Sequence, residues 1–309
     1  MGEGSEASYA LNVLGNVALA SGDPATARAR YGEALESARA IASPRWIAGS
    51  LMNFGFLAFQ LSLHDEAQEH WDAALALFMA SGEALMATRV RGNLAFLELT
   101  RGRHAQARDL IAAMLPVLQE SGDVAALAPA HLNMGRALAG LDDPDGALSH
   151  YTKAIDSACE MGNRPIEGSA LLGRARVVAA RGRLDEARED LRASLAALSS
   201  SARTEATDLV QLAETLRAAG LHDEALACAA RLSEQLGGVP AMARAAMRLR
   251  GEALEDKGDL SGAIEAYSEL RDLAARGSAG DEASYASRAI DRCRAAGGSD
   301  LTNPGQPSS

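Results

Sequence analysis

Six histidines, three cysteines and many carboxylates are the side chains through which this chain could make or break bonds, and their spacing argues against it. The histidines are His64, His70, His104, His131, His150 and His222. None stands four residues from another and no His-Glu-x-x-His run occurs, so the helical pairing that holds a catalytic zinc is missing. Cys159, Cys228 and Cys293 are far apart and lack a Cys-x-x-Cys step, which suggests neither a disulfide framework nor a metal knuckle. They fit a reducing cytoplasm. There is no Gly-x-Ser-x-Gly elbow and no phosphate loop; Gly2-Glu3-Gly4 is too short and has no strand before it. The acids fall mostly at helix starts and on solvent faces. The expectation is a protein that is not an enzyme and needs no metal or cofactor.

What remains is the chemistry of binding. Asn53, Asn93 and Asn133 recur at one interval, with Asn12 and Asn16 close to the corresponding place upstream. Asparagine is a mediocre helix former, so three in register need a reason. Each amide offers a donor and an acceptor, which suits the backbone of an extended peptide. The same amides could instead bond to neighbouring helices, or be inherited by duplication. Arg89 lies one turn before Asn93, and Arg136 and Arg176 share a repeat position. Guanidinium grips carboxylate or phosphate through paired hydrogen bonds, although any one of these arginines could be solvated or paired internally. Phe56 and Phe96 occupy the same repeat position as those two arginines, with Phe59 nearby. They could form an apolar pocket for a partner's side chain, or pack between adjacent helices.

These residues are placed by a repeat. A small residue is followed twelve positions later by alanine at Gly15/Ala27, Gly55/Ala67, Ala95/Ala107, Gly135/Ala147, Ala175/Ala187, Ala213/Ala225 and Gly251/Ala263. The first five pairs are 40 residues apart and the last two steps are 38. Four residues after the alanine come Tyr31, Trp71, Ile111, Tyr151, Leu191, Ala229 and Tyr267, a mostly bulky series. Between small residue and alanine fall Gly22, Ser62, Gly102, Asp142, Gly182, Gly220 and Gly258, at a place where glycine would end a helix in the left-handed conformation. Acids and an early proline, as in Asp23-Pro24 and Asp143-Pro144, then open a second helix. Each repeat therefore reads as helix A, turn, helix B, turn. Pro116 and Pro129 fall inside two of these helices and are expected to bend or break them.

The series Leu14-Gly15, Ala27, Tyr31, Ala34 and Phe54-Gly55, Ala67, Trp71, Ala74 resembles the tetratricopeptide repeat family. The longer period is similar to that of the kinesin-light-chain-like and maltose-activator-like members. Arg174 and Arg250 depart from the family's leucine, and Ala229 from its bulky residue. The resemblance implies an all-α, right-handed α-solenoid of about seven helix-turn-helix repeats plus a capping helix. We place the repeats near 8–44, 45–83, 84–123, 124–163, 164–201, 202–238 and 239–277, the capping helix at 281–296 and a disordered tail at 297–309. It also implies that helix A lines the binding surface. The asparagine ladder resembles that of kinesin light chains, whereas the family's carboxylate-clamp lysines are not reproduced: Asn12 stands at one of their positions.

Composition agrees with helices. Hydrophobic residues make up 48% of the 309 and aromatics only 4%, too few for a strand-rich core. A net charge of −11 argues against general nucleic-acid binding. No basic leader and no uncharged run of membrane-spanning length stand out. The expectation is a cytoplasmic scaffold that binds another protein or an extended peptide, acidic peptides included, without nucleic acid or membrane. Two alternatives stay open: the sensor part of a bacterial signalling or transcription-regulatory system, taking a signal peptide or effector chain, and self-association.

Overall fold

The computed structural model describes residues 3–200, 206–277 and 279–299. Among the described residues it contains fifteen α-helices and no strand. They form consecutive helix pairs. Repeats one to four pair α1 (Glu3–Ala20) with α2 (Pro24–Ala40), α3 (Pro44–Gln60) with α4 (His64–Ala80), α5 (Ala84–Thr100) with α6 (His104–Ser121), and α7 (Val124–Gly140) with α8 (Pro144–Glu160). Repeats five to seven pair α9 (Arg164–Ala180) with α10 (Leu184–Ser199), α11 (Ala206–Ala218) with α12 (His222–Leu236), and α13 (Pro240–Lys257) with α14 (Leu260–Arg276). A last helix, α15 (Gly280–Ser299), follows. The fold is a tetratricopeptide-type α-solenoid. The chain divides into two compact units, Met1–Ser157 and Ala158–Ser309. The helix expected to end at 296 continues to Ser299, and the rest of the expected disordered tail, 300–309, lies outside the described residues.

The turns explain where helices stop. All seven residues expected to end helix A have positive φ, including the two that are not glycine, Ser62 at 60° and Asp142 at 57°. The following helix is opened by a side-chain cap at Asp23, Asp143 and Asp259, each accepting a backbone N–H three residues on. Neither Pro116 nor Pro129 breaks its helix: α6 and α7 run through them. Ile111, Met114 and Leu118 are buried on both sides of Pro116, so packing holds the helix across the lost hydrogen bond.

Packing inside each repeat follows a pairing of sizes. A Cβ on Gly15, Gly55, Gly135 or Gly251 would come closer than 3.0 Å to the ring of Tyr31, Trp71, Tyr151 or Tyr267 respectively. Where helix A carries alanine instead, at Ala95, Ala175 and Ala213, the facing helix-B residue is Ile111, Leu191 or Ala229. Rings also bond across the pair: the Tyr31 hydroxyl donates to Asn16 Oδ1 at 2.7 Å, Trp71 Nε1 to the Met52 carbonyl at 3.1 Å and the Tyr267 hydroxyl to Glu255 Oε2 at 2.7 Å. Arg174, irregular in sequence, makes a bidentate bond of 2.8 and 2.7 Å to the buried carboxylate of Asp190. In repeat two the same two positions hold Phe54 stacked on His70, so an ion pair substitutes for a ring contact.

Candidate peptide-binding face

In the first unit the A helices touch in order, α1 to α3, α3 to α5 and α5 to α7. Repeat register therefore aligns their side chains in rows. Asn12 is buried and fully used: its Nδ2 donates to the Ser8 carbonyl at 2.9 Å and to Ser50 Oγ at 3.0 Å, and its Oδ1 accepts from Asn53 Nδ2 at 2.8 Å. This amide joins α1 to α3. Asn16 is exposed but spends its oxygen on Tyr31. Asn53 is half-buried and keeps its oxygen and one N–H beyond the bond to Asn12. Asn93 is half-buried and Arg89 exposed, and among the described residues neither makes a side-chain hydrogen bond or ion pair. Asn133 Oδ1 accepts a long bond of 3.4 Å from Arg136 Nη1.

The phenylalanines divide. Phe96 lies 5.5 Å from Phe59, which is 5.9 Å from Trp71, so Phe96 belongs to the packing between neighbouring repeats. Phe56 is 46% exposed and available to a partner. Arg176 is exposed on α9, in the second unit.

The charges of these A helices are few. Glu98 is buried between Arg101 and Arg103 at 3.2 and 3.4 Å, and Arg45 reaches Glu83 at 3.6 Å. Arg91 Nη2 donates to the Met79 sulfur at 3.5 Å. Arg89 is therefore an exposed cation with no carboxylate partner among the described residues, on a chain that is acidic overall.

The A helices of the second unit are different. Arg248 bonds Glu214 at 3.1 Å, Arg217 bonds Asp256 at 2.8 Å, Arg292 grips Glu255 at 3.1 and 3.0 Å, and Arg244 pairs with Glu282. Tyr285 and Tyr267 donate to Glu252 and Glu255 at 2.8 and 2.7 Å. Burial, then the bond to Glu255, raises the Tyr267 pKa and keeps that hydroxyl protonated. The cleft among Arg217, Glu252, Glu255, Asp256, Tyr285 and Arg292 measures about 210 Å³. Its carboxylates all have partners, although Arg217 Nε is buried without an acceptor among the described residues. These bonds lock α11, α13 and α15 together. The ion pairs join residues 34 to 39 positions apart, a signal that a search for opposite charges one repeat apart would have found.

A second arrangement corresponds to no sequence motif. His131 on α7 and His150 on α8 bring their Nδ1 atoms to 3.0 Å. Burial, then His150 and Lys153, lowers the His131 pKa to about 4. Burial, then Lys153, lowers that of His150. The ring centroids are 5.1 Å apart, so the two nitrogens point nearly along one line. That suits one N–H donating to the other ring and leaves no room for a metal between them. Among the described residues no group of three or more His, Cys, Asp or Glu could hold a metal, and no helix is long and apolar enough to cross a membrane. Cys228 is buried against the Leu209 carbonyl, and burial pushes its thiol up to about 12.

Three tetratricopeptide repeat models match the chain, over residues 8–33, over 85–160, and over 132–202 with 210–280. The chain belongs to the tetratricopeptide repeat family. A search among curated proteins finds no match. Among solved structures, this tetratricopeptide chain is similar to the apo form of RapI, with a TM-score of 0.61, 14% identity, and coverage of 93% of this chain and 97% of that one. It is similar to a Rap protein complexed with competence and sporulation factor, at 0.56 and 11%, over 94% and 98%. A third is a signal transduction ATPase with numerous domains and a tetratricopeptide repeat sensor, from Pyrococcus horikoshii, at 0.61 and 13%, over 86% and 41%. At these identities the likeness is one of fold.

Proposed function

We propose that this chain is a non-catalytic scaffold that binds an extended segment of another protein on the helix-A face of its first unit. The face centres on Asn53, Phe56, Arg89 and Asn93, with Asn133 and Arg136 alongside. One observation carries the reading. The guanidinium of Arg89 and the amide of Asn93 are not committed to internal bonds among the described residues, whereas the A helices of the second unit are tied together by ion pairs. Asn93 offers a donor and an acceptor to a peptide backbone, and Arg89 favours a carboxylate or phosphate on it. The partner is therefore an anionic peptide segment, and the three free thiols fit a cytoplasmic setting.

A regulatory role is the second reading: the chain as the sensor module of a bacterial signalling system. The long repeat period of the kinesin-light-chain-like and maltose-activator-like members supports it. So do the similar folds of a Rap protein complexed with a factor and of a sensor-bearing ATPase. Capture of partners from native lysate, followed by titration of the captured peptide, tests the site. Arg89→Ala with Asn93→Ala should weaken binding at least tenfold, about 1.4 kcal/mol or more. Unchanged affinity would remove these residues from the site.

A further inference from the structure

Helix α3 carries two glycines, and only one of them has a packing reason. A Cβ on Gly55 would strike the Trp71 ring, whereas a Cβ on Gly49 would meet nothing within 4 Å. Gly49 lies in the second turn of the helix, so no chain reversal needs it. Glycine in a helix interior is destabilising relative to alanine. Repeat register shows what the missing side chain leaves open. Tyr9, Gly49 and Arg89 stand at one repeat position, 40 residues apart, on α1, α3 and α5, which touch in that order. Tyr9 is 59% exposed and Arg89 is exposed. Between them the helix-A surface has a notch one residue wide. Asn53 follows Gly49 by one turn, and Val13, 40% exposed, is the α1 residue in register with Asn53. The half-buried Trp46 meets the Tyr9 ring edge-on at 6.2 Å, so α3 itself braces the aromatic side of the notch. Arg45, one turn before Gly49, is held by Glu83 at 3.6 Å. The notch thus has an apolar wall on α1 and a cation on α5.

We propose that the notch over Gly49 receives a large apolar side chain of the bound segment, while an acidic residue of the same segment sits on Arg89. This rests on the peptide-binding role proposed for the first unit and adds which residue classes the groove reads. The wall sets the first class. Tyr9 and Val13 hold carbon surface in water, and a large apolar side chain laid against them removes it. The glycine floor lets the ligand come close to the α3 backbone. Charge sets the second class. Arg89 has no carboxylate partner among the described residues, and a chain of net charge −11 repels acids over most of its surface. The spacing follows from the helices. Packed helix axes lie roughly 8–10 Å apart, and an extended chain rises about 3.3 Å per residue. The acid therefore stands about three residues from the apolar residue.

Selection of phage-displayed random dodecapeptides on the full chain, followed by titration of a selected peptide, tests this. The selected sequences should share a large apolar residue near an Asp or Glu at that spacing. Gly49→Leu fills the notch. Its Cβ has open space and leucine is the better helix former, so the melting temperature should hold or rise. The selected peptide should nevertheless bind this variant at least tenfold more weakly. Tyr9→Ala removes the opposite wall without touching α3 and should weaken the same peptide about threefold or more. Replacing the peptide's apolar residue by alanine should make wild type and Gly49→Leu bind alike, and Arg89→Ala should abolish the preference for its acid over the matching amide. Selected sequences that share an acid but no apolar residue, or undiminished affinity in both Gly49→Leu and Tyr9→Ala, would overturn the notch and leave the Arg89 and Asn93 face standing. Failure of that face reads differently: Arg89→Ala with Asn93→Ala would bind the selected peptide as tightly as wild type. A selection with no shared pattern would overturn both.

Discussion

His131 and His150 show how much a single residue pair can set. The folded chain keeps both rings neutral, with His131 lowered to about 4, whereas an unfolded histidine titrates near 6.5. The unfolded state therefore takes up protons first as pH falls. The contribution is fully present above about pH 6.5 and is lost progressively down to about pH 4. His131 is buried, and its lowered pKa corresponds to a loss on the order of 3 kcal/mol across this range. Urea denaturation at two pH values bracketing 6.5 should show this fall. Replacing both, His131→Leu and His150→Leu, should flatten it, since leucine occupies the same repeat positions at Leu51 and Leu110. A slope unchanged by the double substitution would mean that other groups carry it. This pair was not legible in the sequence. The two histidines are 19 residues apart on different helices, and no motif has that spacing. Asn12 was legible as polar but not in its role: its amide lies between Ser8, Ser50 and Asn53, and only the packing of α1 on α3 brings those together.

At the scale of the element, the turns were the part most open to reading. Glycine, serine and aspartate at one repeat position all adopt the same left-handed backbone, as the spacing predicts. Composition fails there in one respect, since Ser62 and Asp142 reach that conformation without being glycine. A Cβ at Gly22, Gly102, Gly182 or Gly220 would meet nothing within 4 Å, so the preference at this position is conformational and not steric crowding. Ser62→Gly should therefore stabilise the chain by about 1 kcal/mol and Gly182→Ala should destabilise it by a similar amount. Thermal melts of the two variants check this; a stabilised Gly182→Ala variant would contradict it. The prolines mark the opposite limit. Pro116 lacks one backbone donor, but the apolar side chains flanking it are buried on both sides, and the sequence does not display that tertiary support.

At the scale of the molecule, repeated spacing revealed the architecture, because a solenoid writes the same contacts again and again. The divergence between the two units was not legible in the same way. It depends on which charges find partners across neighbouring A helices, as Arg217 with Asp256 and Arg292 with Glu255 do, and Arg89 does not among the described residues. Charged residues look alike in a one-dimensional pattern whether they are locked or idle. The candidate site was thus visible as a row of residue types, and the structure separates its members into those spent on the fold, such as Asn12 and Phe96, and those left over.

The glycine-to-ring pairing inside each repeat has a consequence for how such chains can be recombined. Glycine on helix A admits an aromatic on helix B, while alanine goes with an aliphatic or smaller residue. Every repeat thereby carries its own matched lock and key, and the natural seam for exchange lies between repeats. A chimera joining the helix A of repeat three to the helix B of repeat two would set Ala95 against Trp71 and should lose helical cooperativity. One that moves both helices together keeps the match, and its melting should stay sharp. Gene shuffling along this chain would succeed or fail by where it cuts, and the cut that preserves Gly55 with Trp71 is the one that survives.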